Sequence, residues 1–388
     1  MERDFPEPLD LRKLRVFPLS ERKSLTRVQD ILLEPADEAR QLADSQLAHV
    51  ERCARAILEA RKRNAGVMLI YGAHLVRNGA GLILEQMMAR DWLTHLATNG
   101  AGTIHDWEYA ATGRSTESVE ENVKTGSFGT WAETGRNIHL ALYSGGLRGE
   151  GYGRALGRFI YEDGATFPER ALLEKMLREE PAHEFSGARA DLLTAMDRGE
   201  IKSGRELIVH QFRNTSVLGN AFRHTVPLTV HPGIGYDIIS NHPMFNGAVI
   251  GRAAGIDFRS FASTVETLDG GVVLSIGSAI MGPQVFEKAL SCVNNLRLQA
   301  RRPVVSGHSI FVVDLQDGGN WDWAKGEPPK TNPAYYLRFC KSFSRMGGAM
   351  HYVQCDNAAF VHNLFHRLEQ LDGRNPSSED SQRVGKIQ

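Results

Sequence analysis

The 388-residue chain has no long apolar run, few cysteines and almost no net charge. No stretch of about 18 apolar residues occurs, so the sequence predicts no transmembrane helix. The N-terminal stretch MERDFPEPLDLRKLRVFPLSERKS lacks the apolar centre of a signal peptide. The four cysteines are scattered and form no CxxC pair, which excludes a disulfide framework and a thiolate zinc site. These absences together predict a cytoplasmic protein.

Charge and motif absences narrow the function classes further. Lys and Arg total 45 and Asp and Glu total 46, which gives a formal net charge of −1. That balance does not favour a general binder of nucleic acid or of membrane surfaces. The chain also lacks a serine nucleophile elbow, a P-loop lysine motif and the HExxH pattern. What remains is ordinary globular composition, 42% hydrophobic and 23% charged, with ample length for a large core.

Strand and helix patterns alternate in two parts of the chain. GVMLIYG is typical of a strand buried on both faces, AGLILEQMMARDW of a helix and LTHLATNG of the next strand. A strand, a helix and a strand within about 30 residues form a βαβ unit, which implies parallel strands. The alternation resumes near residue 207 with VPLTVHPGIG, GGVVLSIGSA, SIFVVDLQDGG and AMHYVQCDNAAFVHNLFHRL. We therefore predict an α/β fold with a doubly wound, mostly parallel sheet.

The remaining segments set the predicted domain limits. Residues 1–35 contain several prolines and mixed charge, and we expect an extended arm there. Residues 35–64 have apolar positions at helical spacing and predict a long amphipathic helix. Polar, Gly-rich and strongly charged stretches make 113–205 a helical insertion or cap. The α/β domain would then span 36–370, and 371–388 would be a flexible tail.

Five loops at the predicted carboxyl ends of strands form the candidate site, because ligands bind beyond those ends in such sheets. They are GAHL, TNGAGTIHDWE, HPGIGYD, IGSAIMG and QCDNA. The small residues of the second loop would let backbone amides approach a phosphate or ribose beside a helix N-terminus. The same loop would serve equally as a tight turn with good caps. His105, Asp106 and Glu108 follow it on the first helical turn.

Ionisable residues on these loops are candidates for proton transfer. His105 and His231 have an ordinary pKa near neutrality, which suits a general acid or base, and Asp237 is a further proton acceptor. Taken singly, each histidine is more often a structural residue that hydrogen-bonds to backbone. Asp356 could accept hydrogen bonds from ribose hydroxyls, or could equally be a helix N-cap.

Five short motifs, in order, resemble those of deoxyhypusine synthase, an NAD-dependent family with a parallel, Rossmann-type sheet. GAHLVRNG stands where that family has TSN before a helix, and NGAGTIHD is similar to its TAGG stretch. VPLTVHPGIGYD, LSIGSAI and YVQCDNA resemble three later motifs. The resemblance runs from about 66 to 366 and is interrupted by 113–205. It implies a homotetramer with NAD lying across the strand ends.

The resemblance also implies a catalytic lysine and a set of cofactor-lining residues. The family transfers an aminobutyl group through a lysine imine, and Lys341 corresponds to that lysine only after a shift of about two residues. Family acids fall near His105 and Pro232, and a family histidine falls near Gly282, so the transfer reaction itself is not implied. The residues that would line NAD are Ala73, His74, Asn99, Gly100, Ala101, Gly102, Asp106, Gly277, Ser278 and Asp356.

Three functions are compatible with these patterns. The first is an NAD-dependent oxidoreductase or transferase acting on a small amine-bearing metabolite, in which His105, His231 or Asp237 accepts the proton and Lys341 forms an imine if it lines the pocket. The second is a metal-dependent hydrolase or lyase that uses the strand-end His and Asp side chains. The third is a non-catalytic ligand-binding protein that kept the fold. No metal ligand is assigned.

Overall fold

The protein, a computed structural model, is described over residues 6–373 and contains ten strands in that range. The strands are β1 Thr26–Arg27, β2 Val67–Tyr71, β3 His95–Asn99, β4 Arg114–Ser115, β5 Gly164–Phe167, β6 Gly204–Leu207, β7 Leu228–His231, β8 Val272–Ile276, β9 Ser309–Asp314 and β10 Ala349–Gln354. Two antiparallel pairs, β1 with β4 and β5 with β6, are peripheral. The other six strands form one sheet.

Fifteen α-helices accompany the strands in the same range, with several single 3₁₀ turns. The helices are α1 Val28–Ile31, α2 Asp44–Lys62, α3 Ala73–Arg77, α4 Gly81–Ala89, α5 Gly100–Thr112, α6 Val119–Thr125, α7 Ala132–Gly146, α8 Tyr152–Tyr161, α9 Arg170–Glu179, α10 Ser186–Asp197, α11 Val217–Arg223, α12 Gly247–Val265, α13 Met281–Gln299, α14 Arg338–Ser344 and α15 Asn357–Asp372. None of the helices within 6–373 combines the length and apolarity that a membrane crossing requires.

The central sheet has the strand order β10-β9-β8-β2-β3-β7, and every pair is parallel. The chain lays down β2, β3 and β7 in one direction, returns to the other side of β2, and then adds β8, β9 and β10. This is the strand order of dinucleotide-binding sheets, whose two halves meet where the direction reverses. That reversal lies between β2 and β8. The predicted α/β fold with a parallel sheet is confirmed.

Helices cover both faces of the sheet. Leu69 and Tyr71 of β2 face a core that also contains side chains of α2, α4, α5 and α15. Met68 and Ile70 face the opposite core, with Phe261 of α12 and side chains of α13 and α14. Because both faces are buried, β2 consists of consecutive apolar residues rather than an alternating pattern. The sheet is therefore doubly wound, as predicted.

The outer segments pack closely against the sheet domain. Phe17 forms a bridge with Trp131, and β1 pairs with β4, so residues 6–35 are docked. Helices α7 and α8, within 113–205, contribute Ile138 and Phe159 to the same core as β2. The division into arm, domain and insertion stays a prediction. Most of the predicted tail, residues 374–388, lies outside the described residues.

The helix predicted for 35–64 begins only at Asp44. The Gln46 side chain accepts a hydrogen bond from the Ala43 backbone N–H at 3.0 Å, which marks the helix start. The preceding residues form a turn and an irregular segment that contacts α15, where Asn363 donates to the carbonyl of Arg40 at 2.9 Å. Contacts with a distant helix therefore override the local periodicity of 35–43.

Candidate functional site

The strand-end loops converge along one edge of the sheet. Tyr71 is in register with Thr98 on one side and Ile276 on the other. Further out, Asn99 pairs with His231 and Gln354 with Asp314. All six strands are parallel, so the loops after them share the carboxyl edge. The predicted convergence of the five loops is confirmed.

The loops after β2 and β8 meet in backbone contact at the point of reversal. The Gly72 N–H donates to the Ile276 carbonyl at 3.1 Å, and a Cβ on Gly72 would overlap the carbonyl oxygen of Gly277. Gly277 has φ +60°, the left-handed region that favours glycine. Ser278 Oγ accepts from the Gly282 N–H at 3.1 Å at the start of α13. We call the space above Gly72–His74 and Gly277–Ser278 the switch crevice.

Asn357, the first residue of α15, adjoins the switch crevice. Its Nδ2 lies 2.5 Å from the position that a Cβ on Gly277 would take. The residue is 7% exposed, and its Oδ1 is buried without a hydrogen-bond partner among the described residues. An unpaired buried polar atom costs about 1–3 kcal/mol. Such an atom beside a crevice suggests that a ligand completes it.

Asp356, predicted as either a ribose-binding acid or a cap, is the N-cap of α15. Its carboxylate accepts from the Ala359 N–H at 2.8 Å, and Arg40 lies 3.8 Å from the same oxygen. The residue is only partly buried, so its second oxygen is available. The capping role is a sufficient reason for an acid at position 356. It does not exclude a contact between the second oxygen and a ligand.

The glycines after β3 have neighbours that explain them without a ligand. A Cβ on Gly100 would collide with the carboxylate of Asp237, and one on Gly102 would collide with the Thr98 hydroxyl. The Gly102 N–H is already bonded to Asn99 Oδ1 at 2.9 Å. The predicted phosphate cradle at Gly100, Ala101 and Gly102 is thus partly occupied by the protein itself. A carboxylate beside the α5 N-terminus opposes a second anion there.

Asp237 is 4% exposed, and the pKa of its carboxyl group is raised. Burial raises its pKa to about 6, while a hydrogen bond from the Gly233 N–H at 2.7 Å acts in the opposite direction. The carboxyl is therefore mostly ionised at pH 7 and becomes neutral in mild acid. It lies against Gly100, at the end of β3.

Asp106, predicted to line the cofactor, is bonded inside the core. This residue is 2% exposed, and it accepts hydrogen bonds from Ser216 Oγ at 2.7 Å and from the Val217 and Leu218 N–H groups. Its carboxyl caps the first turn of α11. Burial raises the pKa of Asp106 to about 6. Both oxygens are used inside the core, so none remains for a ligand.

His231 and His105 do not share a pocket. The His231 Nε2 lies 3.2 Å from Thr229 Oγ1, and its ring packs edge-on against Phe261, on the face covered by α12. Burial lowers the pKa of His231 to about 4. His105 lies on α5, which covers the other face. The two histidines predicted as alternative bases are therefore separated by the sheet.

His105 belongs to a chain of buried hydrogen bonds that starts in the N-terminal arm. The Arg22 guanidinium contacts both oxygens of Glu108, at 2.7 and 3.0 Å, and their side chains are 2% and 1% exposed. Ser115 Oγ donates to Glu108 at 2.5 Å. His105 Nδ1 lies 2.7 Å from Ser115 Oγ. Together Arg22, Glu108, Ser115 and His105 form what we call the imidazole relay.

The relay defines the tautomer of His105. An ionised carboxylate only accepts, so the Ser115 hydroxyl donates to Glu108 and must accept from the His105 Nδ1–H. Nε2 of the half-buried ring is then the free acceptor. Burial is the main cause that lowers the pKa of His105 to about 4, and Arg77, Arg22 and His74 act in the same direction, while Glu108 opposes them. The imidazole is therefore neutral at pH 7, and the same burial makes it a weaker base than a free histidine.

Lys341 does not join the other predicted catalytic residues. Its Nζ pairs with Glu327 at 2.8 Å and lies 3.3 Å from the centre of the Tyr335 ring. It lies on α14, which leads into β10. Adjacent strands are about 4.8 Å apart, so about 20 Å separates the β9–β10 side of the sheet from β7. Lys341 thus belongs to an element next to β10, whereas Asp237 follows β7, the strand at the opposite end of the sheet.

Three residues of the site carry no recognisable sequence signal. Arg22 and Ser115 acquire their roles only through Glu108, which is 86 residues from one and 7 from the other. Asn357 stands next to the predicted Asp356, but nothing in QCDNA distinguishes it. Ala73 and His74 lie at the start of α3, with His74 exposed to solvent, and their contact with a cofactor stays a prediction.

No protein-family profile and no curated protein matches the chain. It is similar to solved structures of AgrE in a ternary complex with ornithine and NAD+ (14% identity, TM-score 0.44) and of apo ArgZ, an arginine dihydrolase from the ornithine–ammonia cycle in cyanobacteria (14%, 0.38). It is also similar to a conserved LOR/SDH protein from Methanococcus maripaludis S2 (16%, 0.41). These matches cover 86%, 86% and 88% of this chain, and 34%, 34% and 74% of those proteins. The chain thus spans about a third of AgrE and ArgZ, and the likeness concerns the fold alone.

Proposed function

We propose that the protein is an NAD-dependent enzyme that oxidises a small amine-bearing metabolite. The observation that carries this proposal is the switch crevice. The strand order reverses between β2 and β8, and in sheets of this order dinucleotides bind across that reversal. Gly72 and Gly277 provide backbone that a ligand can approach closely, and Asn357 provides an unsatisfied polar atom.

The two halves of the sheet suggest how NAD would lie. In this fold the first half, here β2, β3 and β7, binds adenosine, and an acid after its second strand accepts bonds from ribose hydroxyls. Asp106 is unavailable, but Asp237 places a carboxylate against Gly100 at the end of β3. That charge would repel the 2′-phosphate of NADP. We therefore propose that NAD is preferred over NADP.

His105 is the proposed proton acceptor. NAD, when bound, supplies the hydride acceptor for the carbon that bears the amine. Before that transfer the substrate ammonium must lose a proton, because only a neutral amine has the electron pair that forms the C=N bond. The free Nε2 of His105 takes this proton, and the imidazole relay keeps that nitrogen unprotonated beforehand.

The amine preference rests on the deoxyhypusine synthase resemblance and on charge at the second half of the sheet. Asp314 ends β9 and Asp317 follows it, on the proposed nicotinamide side, and their carboxylates would pair with an ammonium group. The resemblance also implies NAD and a homotetramer, and both remain proposals. Transfer of a group through Lys341 is not part of the proposal, because the lysine is engaged by Glu327 and Tyr335.

Calorimetric titration with NAD tests the cofactor. We expect binding by the wild type and at least tenfold weaker binding by Gly277→Ala, whose methyl would enter beside Asn357. Gly126→Ala is the matched control, since Gly126 has φ +72° and no neighbour within 4 Å. The control reproduces the backbone strain away from the crevice. Absence of heat at millimolar NAD would refute the cofactor assignment.

Turnover separates the enzyme from a ligand-binding homologue. Spermidine and ornithine are suitable first amines, with formation of NADH as the readout. His105→Ala should abolish turnover while NAD binding persists. Within residues 6–373 no group of three or more His, Cys, Asp or Glu side chains could hold a metal ion.

A further inference from the structure

We propose that the side-chain amide of Asn357 binds the carboxamide of the nicotinamide ring and so makes the switch crevice selective for an intact nicotinamide. This inference rests on the proposed function and assigns a residue that the family resemblance does not include. It concerns recognition of the ring and not the hydride transfer itself.

The position of Asn357 points to the nicotinamide half. The residue follows β10, but its side chain reaches across the edge to Gly277, at the end of β8. Strands β8, β9 and β10 form the second half of the sheet, and the first half is the one that holds adenosine. A group that contacts Gly277 and Asn357 together is therefore the nicotinamide end of the cofactor.

The chemistry of the amide matches that end. Oδ1 is buried with no donor from residues 6–373, and Nδ2 faces the glycine of the crevice. A carboxamide offers an N–H donor for Oδ1 and a carbonyl acceptor for Nδ2, so the two amides form a paired set of hydrogen bonds. The adenine edge offers a similar pair. The experiment below distinguishes the two ends of the cofactor.

A purely structural role does not account for Asn357. Polar residues at a helix start usually cap it, but here Asp356 already accepts from the Ala359 N–H. Asn357 is nine-tenths buried without making a side-chain bond that would offset its desolvation. An apolar residue of similar volume would be less costly at this position in the absence of a ligand.

Titration of three ligands into the wild type and Asn357→Ala tests the inference. The ligands are NAD, ADP-ribose, which lacks the ring, and 3-acetylpyridine adenine dinucleotide, which keeps the carbonyl and lacks the amide N–H. For the wild type we expect several-fold weaker binding of the acetylpyridine analogue than of NAD. Asn357→Ala should weaken NAD about tenfold, bind the analogue and NAD equally, and leave ADP-ribose unchanged.

Asn363→Ala is the matched control, because Asn363 lies on the same helix and bonds the Arg40 carbonyl instead of facing the crevice. The affinity of the Asn363→Ala protein for NAD should equal that of the wild type. The comparison of NAD with its analogue on the wild type needs no variant, so a poorly folded Asn357→Ala would leave that test intact.

Two results would overturn the inference while leaving the proposed function in place. One is equal weakening of NAD and ADP-ribose by Asn357→Ala, which would place the residue at the adenosine end. The other is equal affinity of the wild type for NAD and the acetylpyridine analogue. A wild type that binds neither NAD nor ADP-ribose would instead refute the proposed function and this inference together.

Discussion

Two stretches of the same sheet edge look alike in sequence and differ in structure. The β2/β8 stretch brings Gly72 against the backbone of Gly277 and leaves the Asn357 amide unpaired. The β3/β7 stretch brings Gly100 against Asp237, and its polar groups bond one another. The first stretch has a buried polar atom without a partner among the described residues, whereas polar groups of the second are partly satisfied by one another.

This difference shows that a glycine at a strand end is not by itself a sign of ligand binding. What separates the two stretches is the identity of the neighbour. At Gly72 the neighbour is backbone, which cannot be replaced by mutation, and at Gly100 it is a side chain, which can. The predictions below use that contrast.

Gly72→Ala should cause the largest loss of stability, about 3 kcal/mol, because its methyl meets the Gly277 carbonyl and forces the two loops apart. Chemical denaturation measures the free energy of unfolding. Gly255→Ala is the control: this α12 glycine has no neighbour within 4 Å, and the change should stabilise the helix by up to about 1 kcal/mol. If the Gly72→Ala protein were as stable as the wild type, the two loops would not approach each other as closely as described.

Gly100→Ala should destabilise by about 2 kcal/mol, and Asp237→Ala in the same chain should restore most of the loss. The second change removes the carboxylate that the new methyl strikes. A double-mutant cycle from denaturation curves measures this coupling. If the two substitutions had additive effects on the free energy of unfolding, the Asp237 side chain would not be the neighbour that obstructs a methyl group at Gly100.

Acidification should destabilise the protein through the buried histidines of β3 and β7. Burial lowers the pKa of His95 to about 3 and of His231 to about 4, so between about pH 6.5 and 4 the unfolded chain binds more protons and stability falls as pH falls. Asp237 and Asp257, whose pKa values are raised to about 6 and about 7, act oppositely and lose stability as pH rises through those values.

The thermal midpoint followed from pH 6.5 to 4.5 checks this dependence. His95→Gln should lose less stability over that range than the wild type, because one buried neutral imidazole is gone. Ala73→Ser, in the switch crevice, should retain the wild-type slope. Equal slopes for His95→Gln and the wild type would contradict the assignment.

Ser115→Ala should have the smallest effect on stability, about 1 kcal/mol, with a clear effect on His105. Nitrogen-15 spectra of the imidazole should show a single Nδ1–H tautomer in the wild type and a mixture in the variant. Ser127→Ala, at an exposed site on the turn after α6, should leave the spectrum unchanged. An Nε2–H tautomer in the wild type would refute the relay.

The sheet could be predicted from sequence because its signals are local. β2 is a consecutive apolar run, and β8 is apolar except for Ser275, so both strands and the loops after them were placed correctly. The site could be predicted only in outline. Asp106 stands on the expected helical turn, but Ser216, which claims its carboxylate, is 110 residues away. Likewise, the side chain that lies against Gly100 is that of Asp237, and the local sequence around Gly100 does not indicate this contact.

The Arg22–Glu108 ion pair makes the tautomer of His105 depend on the N-terminal arm. Its two members belong to the start of the chain and to the middle of the sheet domain, and one buried charge without the other is costly. A polypeptide shortened past Arg22 would therefore leave the buried Glu108 carboxylate without its cationic partner, and the hydrogen bonds of the imidazole relay would rearrange. Such a molecule could retain every strand and still present the wrong nitrogen of its imidazole. The fold of the sheet and the tautomer of His105 are thus separate properties of this protein, and the Arg22 guanidinium connects them.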